Sequence, residues 1–394
     1  MRPAPALAAL ILSAALSWEP HSRVVKTAAA SDVGPEERQE ERHTDVVDLS
    51  LVTGMGALVQ KLQGRRVLFV GENHDRYEDH LEELAIVGGL QARGKDFAIG
   101  VEFFQQPFQK YLDAYVAGDI SEREMLRRTE YFGRWRFDYR LYRPILRFAR
   151  EHRIPVIALN LEREITRKIA EGGMRELTPA ERARIPAEID RSDKEYRKRI
   201  REAFEQHPKS GKITFEHFLD VQLLWDEGMA ARGALYLEKH PAKDMVILAG
   251  AGHVEYGQGI PQRLLRRVRA SSAIVLDGKD RRPDPKLADF LLYPHPEELP
   301  PPGLLGVMLD TDSPGKGIAV RGFTRGSGAK AAGIEVNDRI LRIGDEPISS
   351  YSDIRIAMLD RRPGQKVKVE VLRKHMIASD ERLTFEIELH RHGR

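Results

Sequence analysis

Two histidines and two glutamates stand where apolar runs of this chain end, and these residue types suit proton transfer, metal ligation or the ligation of a prosthetic group. "RVLFVG" (66–71) leads into Glu72 and His74, "AIGVEFF" carries Glu102, "PVIALN" ends in Asn160, and "MVILAGAGH" ends in His253. An acid inside "AIGVEFF" loses its hydration on folding and must be paired or hydrogen-bonded, to an arginine or within a site. Glu72 suits a helix N-terminus on charge alone, and Asn73 or Asp75 can N-cap the helix that "DRYEDHLEELAIVGGLQ" predicts. His253 reads either as a site residue or as a loop histidine bonded to backbone. His80 reads as a partly exposed helix residue rather than a ligand.

Two further stretches bear on this set. In "TFEHFLDVQLLWDEGMAARGALYL" (214–237), Gln222 and Asp226 lie four apart on the apolar face of a predicted helix, and an amide and an acid aimed inward need partners. The strand-end histidines are one candidate; a structural polar contact is the other. In "YFGRWRFDYRLYRPILRFAR" (131–150), Trp135, Tyr139 and Tyr142 alternate with arginines. Such a run either walls a flat anionic ligand or forms an amphipathic helix with its aromatics in the core, and the second is the plainer reading.

Positioning these residues requires a scaffold. Five continuous apolar runs, at 66–71, 97–104, 155–160, 245–250 and 273–278, alternate with helical stretches, which predicts strands buried on both faces in a mostly parallel sheet covered by helices, an α/β fold. The carboxyl ends of such strands share one side, so the polar residues there can converge. The charged stretch 175–209 reads as a solvated helical insertion. Prolines cluster over 277–303 and mark a linker, after which a β-rich unit of about 90 residues begins near Pro301. The expected division is a signal or disordered segment over 1–30, a linker over 31–45, the α/β domain over 46–285, a proline-rich linker over 286–300 and the β-rich unit over 301–392.

Composition narrows the chemistry. With 63 basic and 60 acidic residues the net charge is +3, which gives no general attraction to nucleic acid. The chain has no cysteine, which excludes disulfides, thiolate ligands, a cysteine nucleophile and a cysteine-linked lipid. The N-terminal "MRPAPALAALILSAALSW" has the form of a secretory signal, so the protein is expected to be exported, to the periplasm or cell envelope; any membrane association would lack a lipid anchor.

"GENHD", the acid of "VEFF", "QLLWDEGMA" and "GAGHVEYGQGIPQRL", in that order, resemble the ChaN-like family of haem-binding uptake proteins, within the wider Tiki and TraB group. The resemblance spans roughly 45–285. It implies an exported haem binder related to iron uptake, with Glu72, His74, Glu102, Gln222, Asp226 and His253 as its ligand-binding positions. Tyr256 joins them on chemical grounds, because haem iron accepts histidine or tyrosinate. His253 and Tyr256 are the first candidates for the iron, with arginines of the 134–143 run for the propionates. The Tiki relationship implies the alternative of a divalent-metal hydrolase. There two histidines, His74 and His253, and two acids would hold one divalent metal with an open position and Glu72 or Glu102 would be the base, or His74 would act as base without metal.

The last 90 residues resemble a PDZ domain of the bacterial protease-associated kind. "GLLGV", Gly303, Leu304, Leu305, Gly306 and Val307, stands where the carboxylate-binding loop belongs, which implies binding of a protein C-terminus or an extended peptide. Asn337 replaces a usual glycine there, and asparagine tolerates left-handed backbone.

Overall fold

A computed structural model describes residues 47–206, 213–375 and 379–391. The segment read as an export signal lies outside these residues. The first domain runs α1 (Met55–Leu62), β1 (Val67–Glu72), α2 (Tyr77–Gln91), β2 (Phe97–Gln105), α3 (Gln109–Ala117), α4 (Glu122–Arg128), α5 (Tyr131–Arg134), α6 (Tyr139–Glu151) and β3 (Val156–Asn160). It continues through α7 (Arg163–Gly172), α8 (Pro179–Arg182), α9 (Lys194–Gln206), α10 (Phe215–Lys239), β4 (Asp244–Gly250), α11 (Ile260–Arg267), β5 (Ser272–Asp277) and β6 (Phe290–Leu292).

The six strands form one parallel sheet in the order β3-β2-β4-β1-β5-β6. Every residue of β1, β2 and β3 is buried, as their unbroken apolar runs require. Side chains of β1 alternate between two cores: Leu68 and Val70 pack with α1, α2 and α6, while Val67 and Phe69 pack with α10 and α11. The expected α/β architecture is therefore present. One boundary shifts: Phe290–Leu292, inside the stretch read as linker, pairs with β5 as the sixth strand. The apolar "FLL" can add an edge there because the prolines flank it instead of interrupting it.

The second domain comprises β7 (Val307–Asp310), β8 (Ile318–Phe323), α12 (Gly328–Ala331), β9 (Arg339–Ile343), β10 (Glu346–Pro347), α13 (Tyr351–Met358), β11 (Lys366–Arg373) and β12 (Glu381–Glu388). Its sheet is antiparallel, ordered β12-β11-β9-β8-β7 with β10 on β9. Asn337 has φ 75°, the left-handed geometry that the sequence pattern asks for. Among the described residues no helix is long and apolar enough to cross a membrane.

Candidate functional site

The carboxyl ends of β1, β2 and β4 bring together four of the residues that the sequence singles out. Glu72 closes β1, and the turn after it returns His74 so that its ring Nδ1 lies 2.5 Å from Glu72 Oε1. Glu102 sits where the register between β2 and β3 shifts, an irregularity of the kind that re-aims a side chain. Its Oε2 accepts the Gly250 amide at 2.8 Å, at the end of β4. His253, in a short 3-10 turn directly after β4, is held from both sides: Nδ1 is 2.7 Å from Asp226 Oδ1 and Nε2 is 3.4 Å from Glu102 Oε1. Asp226 reaches this point from the buried face of α10, and its other oxygen accepts the Tyr196 hydroxyl at 2.6 Å.

Glycine is required at the centre of this arrangement. A Cβ on Gly250 would stand 2.8 Å from Cε1 and 2.9 Å from Nε2 of His74, and 3.5 Å from Glu102 Oε2. Backbone and imidazole thus approach more closely than any side chain allows, which ties the two halves of the network together.

All of these groups are buried, and the charges are set by their neighbours. Burial on its own lowers the pKa of His253, yet the carboxylates of Glu102 and Asp226 and the hydrogen bonds to them raise it to about 10. Burial on its own raises Glu102, but the charge and hydrogen bond of His253, helped by His74 and the Gly250 amide, bring it down to about 2. His74 is likewise raised: burial opposes, and the charges of Glu72 and Glu102 prevail. The neighbouring carboxylates thus shift both imidazoles towards the cationic form. Among the described residues no group of three or more histidines and acids is arranged to hold a metal ion.

Several expectations need correction. His80 is 1% exposed and belongs to the network, with Nδ1 2.9 Å from Glu83 Oε2 and Nε2 3.9 Å from Glu72 Oε2. Its helix packs that face inward against Tyr142, whose ring centroid is 4.5 Å away. Neither Asn73 nor Asp75 caps α2: Arg76 holds the cap position without a side-chain bond, and both Asn73 nitrogens donate to Asp79 Oδ2 at 2.8 Å. The aromatics of 131–150 enter the core as the plainer reading expects, with Tyr131, Tyr139 and Tyr142 fully buried. Trp135 and Phe137 instead border the site, with ring centroids 5.1 and 4.7 Å from that of His74. The arginines expected for propionates are engaged elsewhere, Arg134 with Glu130 and Glu164, Arg140 with Asp138, and Arg143 with Glu122 and Asp360.

Two predicted residues lie outside the ion-pair network. Asn160, at the end of β3, accepts the Leu161 amide with its own Oδ1, and Gln222 is buried on α10 with no side-chain hydrogen bond among the described residues. Tyr256 is 42% exposed and stands on the rim, three residues past His253. Its φ is 59°, in the left-handed region that non-glycine residues rarely enter. The backbone there is fixed by the Tyr256 amide donating to Leu287 O at 2.9 Å. Burial and the charge of Glu255 raise the phenol pKa, while Arg199 and Arg281 oppose.

Sequence reasoning missed Tyr196 and Arg199. Both come from α9, inside the charged insertion, whose buried residues Tyr196, Ile200 and Ala203 recur at helical spacing among many charges. That spacing was the available signal. Arg199 donates to Gly252 O at 3.0 Å and Glu255 Oε1 at 2.9 Å, and its Nη2 is buried with no partner among the described residues.

In the second domain, Gly303, Leu304, Leu305, Gly306 and Val307 all line a groove of about 510 Å³ between β7 and α13. Gly306 has φ 79°, and a Cβ there would meet the backbone of Ser327 at 2.7 Å. β7 is the last strand of its sheet, so one of its edges is open to an added strand.

The comparisons with known proteins fall on the same two units. A structure of cofacial haem binding to ChaN of Campylobacter jejuni is similar at 18% identity, covering 61% of this chain and 91% of that one, with a TM-score of 0.48. A serine endoprotease from Yersinia pestis is similar over 23% of this chain and 29% of its own, at 24% identity and a TM-score of 0.19. The Arabidopsis thaliana protein RETICULATA-RELATED 5, chloroplastic, is 23% identical over 268 residues, which are 59% of this chain and 35% of that protein. The chain therefore spans about a third of the length of this curated relative. Residues 303–389 match the PDZ domain family. Residues 58–264, just over half the chain and containing the whole buried network, match the family of haem-binding uptake proteins of the Tiki superfamily, ChaN, and the chain belongs to that family.

Proposed function

We propose that this chain binds haem at the rim of the sheet's carboxyl edge, that the Tyr256 phenol is the group that takes the iron, and that the PDZ domain binds a partner's C-terminus or extended segment. The observation that supports the first part is the contrast between Tyr256 and His253. His253 has both ring nitrogens committed to carboxylates, whereas Tyr256 is exposed on a strained, backbone-fixed turn. Tyrosinate suits ferric haem.

The residues present fit such a group. Arg199 keeps a buried donor without a partner among the described residues and its charge favours the Tyr256 phenolate, which supports it as the residue that would pair with a haem carboxylate. Haem bound there would supply a ferric Lewis acid and two propionates. The phenol must lose its proton before its oxygen can ligate. Burial and Glu255 hold that proton on, and Arg199 and Arg281 favour its release. The buried network below fixes the 250–259 segment: a Cβ on Gly259 would stand 2.1 Å from His253 O and 3.1 Å from Asp226 Oδ2. Export and a part in iron acquisition are included in the proposal, supported by the apolar N-terminal run and by the uptake character of the family.

Titrating haemin into the purified chain and following the Soret band tests this. Wild type is expected to give a saturable shift, Tyr256→Phe to weaken binding by about tenfold or more, corresponding to loss of one ligand worth roughly 1.4 kcal/mol or more, and His253→Ala to leave the band position unchanged wherever it still folds. An absent shift in wild type, or equal binding by Tyr256→Phe, would overturn the reading. Turnover of a peptide or ester that is lost in Glu102→Gln would put the hydrolase in its place.

A further inference from the structure

Arg263, on α11, is 2% exposed, and a guanidinium taken out of water must find partners for its donors. It finds most of them on backbone. Nη1 donates to the carbonyl of Gln258 and to that of Gly259, the latter at 3.1 Å, and Nη2 donates to Asp190 O at 3.4 Å. Nε lies 3.3 Å from Glu227 Oε1, which balances the charge. The guanidinium carbon stands over the Tyr196 ring, 4.7 Å from its centroid. Glu227 is fully buried as well and is shared: Arg266 reaches it at 2.8 Å, Arg267 at 2.6 Å and the Asp190 amide at 3.0 Å.

These contacts reach both ends of the segment 253–259. At the far end, the two carbonyls that Arg263 binds follow Tyr256 by two and three residues. At the near end, Tyr196, on which the guanidinium stacks, donates its hydroxyl to Asp226 at 2.6 Å, and Asp226 holds His253 at 2.7 Å. The two ends meet at Gly259, where a Cβ would stand 2.1 Å from His253 O. Tyr256 lies between them at φ 59°, a conformation that persists where the surroundings over-determine it. The adjoining Gly257 and Gly259 give the loop freedom rather than stiffness, so the constraint comes from outside it. A buried ion cluster stabilises little relative to apolar packing, but apolar packing cannot bind two successive carbonyls, and the rigid fork of an arginine can. Arg199 depends on the same contacts. It is three residues past Tyr196 on α9 and bonds to Gly252 O, Glu255 and Gln258 Oε1 of this loop.

We propose that Arg263 is a positioning residue for the haem site: by binding the Gln258 and Gly259 carbonyls and stacking on Tyr196, it fixes the left-handed turn that presents the Tyr256 phenol and the helix that carries Arg199. Arg263 is buried and acts through the loop. The proposal rests on the haem reading above and adds the group that orients its iron ligand.

Hydrogen exchange followed by mass spectrometry, on the full chain without haem, reads the loop directly. Peptides covering 251–259 are expected to exchange about tenfold faster in Arg263→Lys, which keeps the charge and loses the fork, while peptides of β2 exchange as in wild type. In haemin titrations the same variant should bind about three- to tenfold more weakly, because the phenol is no longer pre-organised. The electron paramagnetic resonance signal of its ferric complex should broaden as the phenol samples more than one orientation. Arg266→Ala removes an arginine from the same Glu227 cluster without a bond to the loop, and should change neither loop exchange nor haem binding. A folded Arg263→Lys that exchanges and binds haem as wild type does overturns the proposal and leaves the Tyr256 reading standing. If Arg266→Ala loosens the loop as much as Arg263→Lys, the effect belongs to the ion cluster as a whole and the proposal fails. If wild type gives no Soret shift that depends on Tyr256, the haem reading and the positioning role fall together. Thermal melts establish folding, and where Arg263→Lys does not fold, Arg263→Gln, which leaves Glu227 with Arg266 and Arg267, is measured in its place with the same expected outcomes.

Discussion

Glu102 and His253 form a buried pair whose charges depend on each other, and removing either partner leaves the other unpaired away from water. Glu102→Gln and Asp226→Asn are each expected to cost about 3–5 kcal/mol of stability, measured by urea unfolding. The same pair sets a pH window. Glu102 titrates near 2 in the fold against 4.5 ordinarily, so its contribution is present above pH 4.5 and is lost as pH falls towards 2. His253 titrates near 10 against 6.5, so its contribution is complete below pH 6.5 and is lost as pH rises towards 10. Both are complete between pH 4.5 and 6.5. The melting temperature should therefore fall from pH 6.5 upward in wild type, and the fall should flatten in His253→Gln; an equal slope in the two would contradict the pairing. At this scale much was legible in the sequence: Glu102 had to be paired because an acid lies inside an apolar strand, and Asp226 because it faces inward on α10. The identity of the partners was not legible, since Glu102, Asp226 and His253 meet only through the order of strands in the sheet. His80 was misread because its helix carries acids on several faces, and only the packing of Tyr142 against it shows which face is inside.

At the level of elements, α13 is the piece on which the two domains depend together. Its sequence "SYSDIRIAML" predicts a helix, and the Ser350 and Asp353 capping box starts it. What the sequence conceals is that Ile354 and Ile356, two residues apart on opposite sides, enter different cores. A helix with apolar residues on more than one side was readable as buried, but not as shared. Ile356→Ala is expected to destabilise by about 2–5 kcal/mol. It should also split a single calorimetric transition into two, with the α/β domain and the PDZ domain melting apart. A single unchanged transition would show that the seam contributes little. The charged insertion gives the opposite lesson: α9 looks like a solvated surface helix because its buried residues are few, yet Tyr196 caps the Asp226–His253 chain from it. Tyr196→Phe, which removes the 2.6 Å hydrogen bond and keeps the ring, should cost about 1.5–3 kcal/mol, the usual range for a bond to a charged group, in a denaturant titration.

Across the whole molecule, one segment links the peptide groove to the buried network beneath the proposed haem site. Between residues 131 and 142, Phe132, Asp138 and Arg140 line the peptide groove, while Trp135 and Phe137 border His74 and the Tyr142 hydroxyl donates to His74 O at 3.5 Å. If a peptide in the groove shifts this segment, haem affinity changes, and by linkage haem changes peptide affinity by the same factor. Haemin titrations with and without saturating peptide, and the reverse experiment, should return equal coupling factors; a coupling factor of one in both would mean that the segment is rigid between the sites. The two-domain plan itself was readable, because the parallel-strand runs and the Gly-rich antiparallel pattern are separated by prolines. The seam was not, because Arg123, Arg127 and Arg143 look like ordinary surface arginines until Glu346, Asp353 and Asp360 are folded against them.

In the proposed haem complex Tyr256 ligates the iron and the buried histidines do not. The most direct measurement is the electron paramagnetic resonance spectrum of the ferric haem complex, recorded for wild type and for Tyr256→Phe. A high-spin ferric signal of the kind that tyrosinate ligation gives, lost in the variant, is the predicted result; a low-spin bis-histidine signal unchanged by the substitution would contradict it.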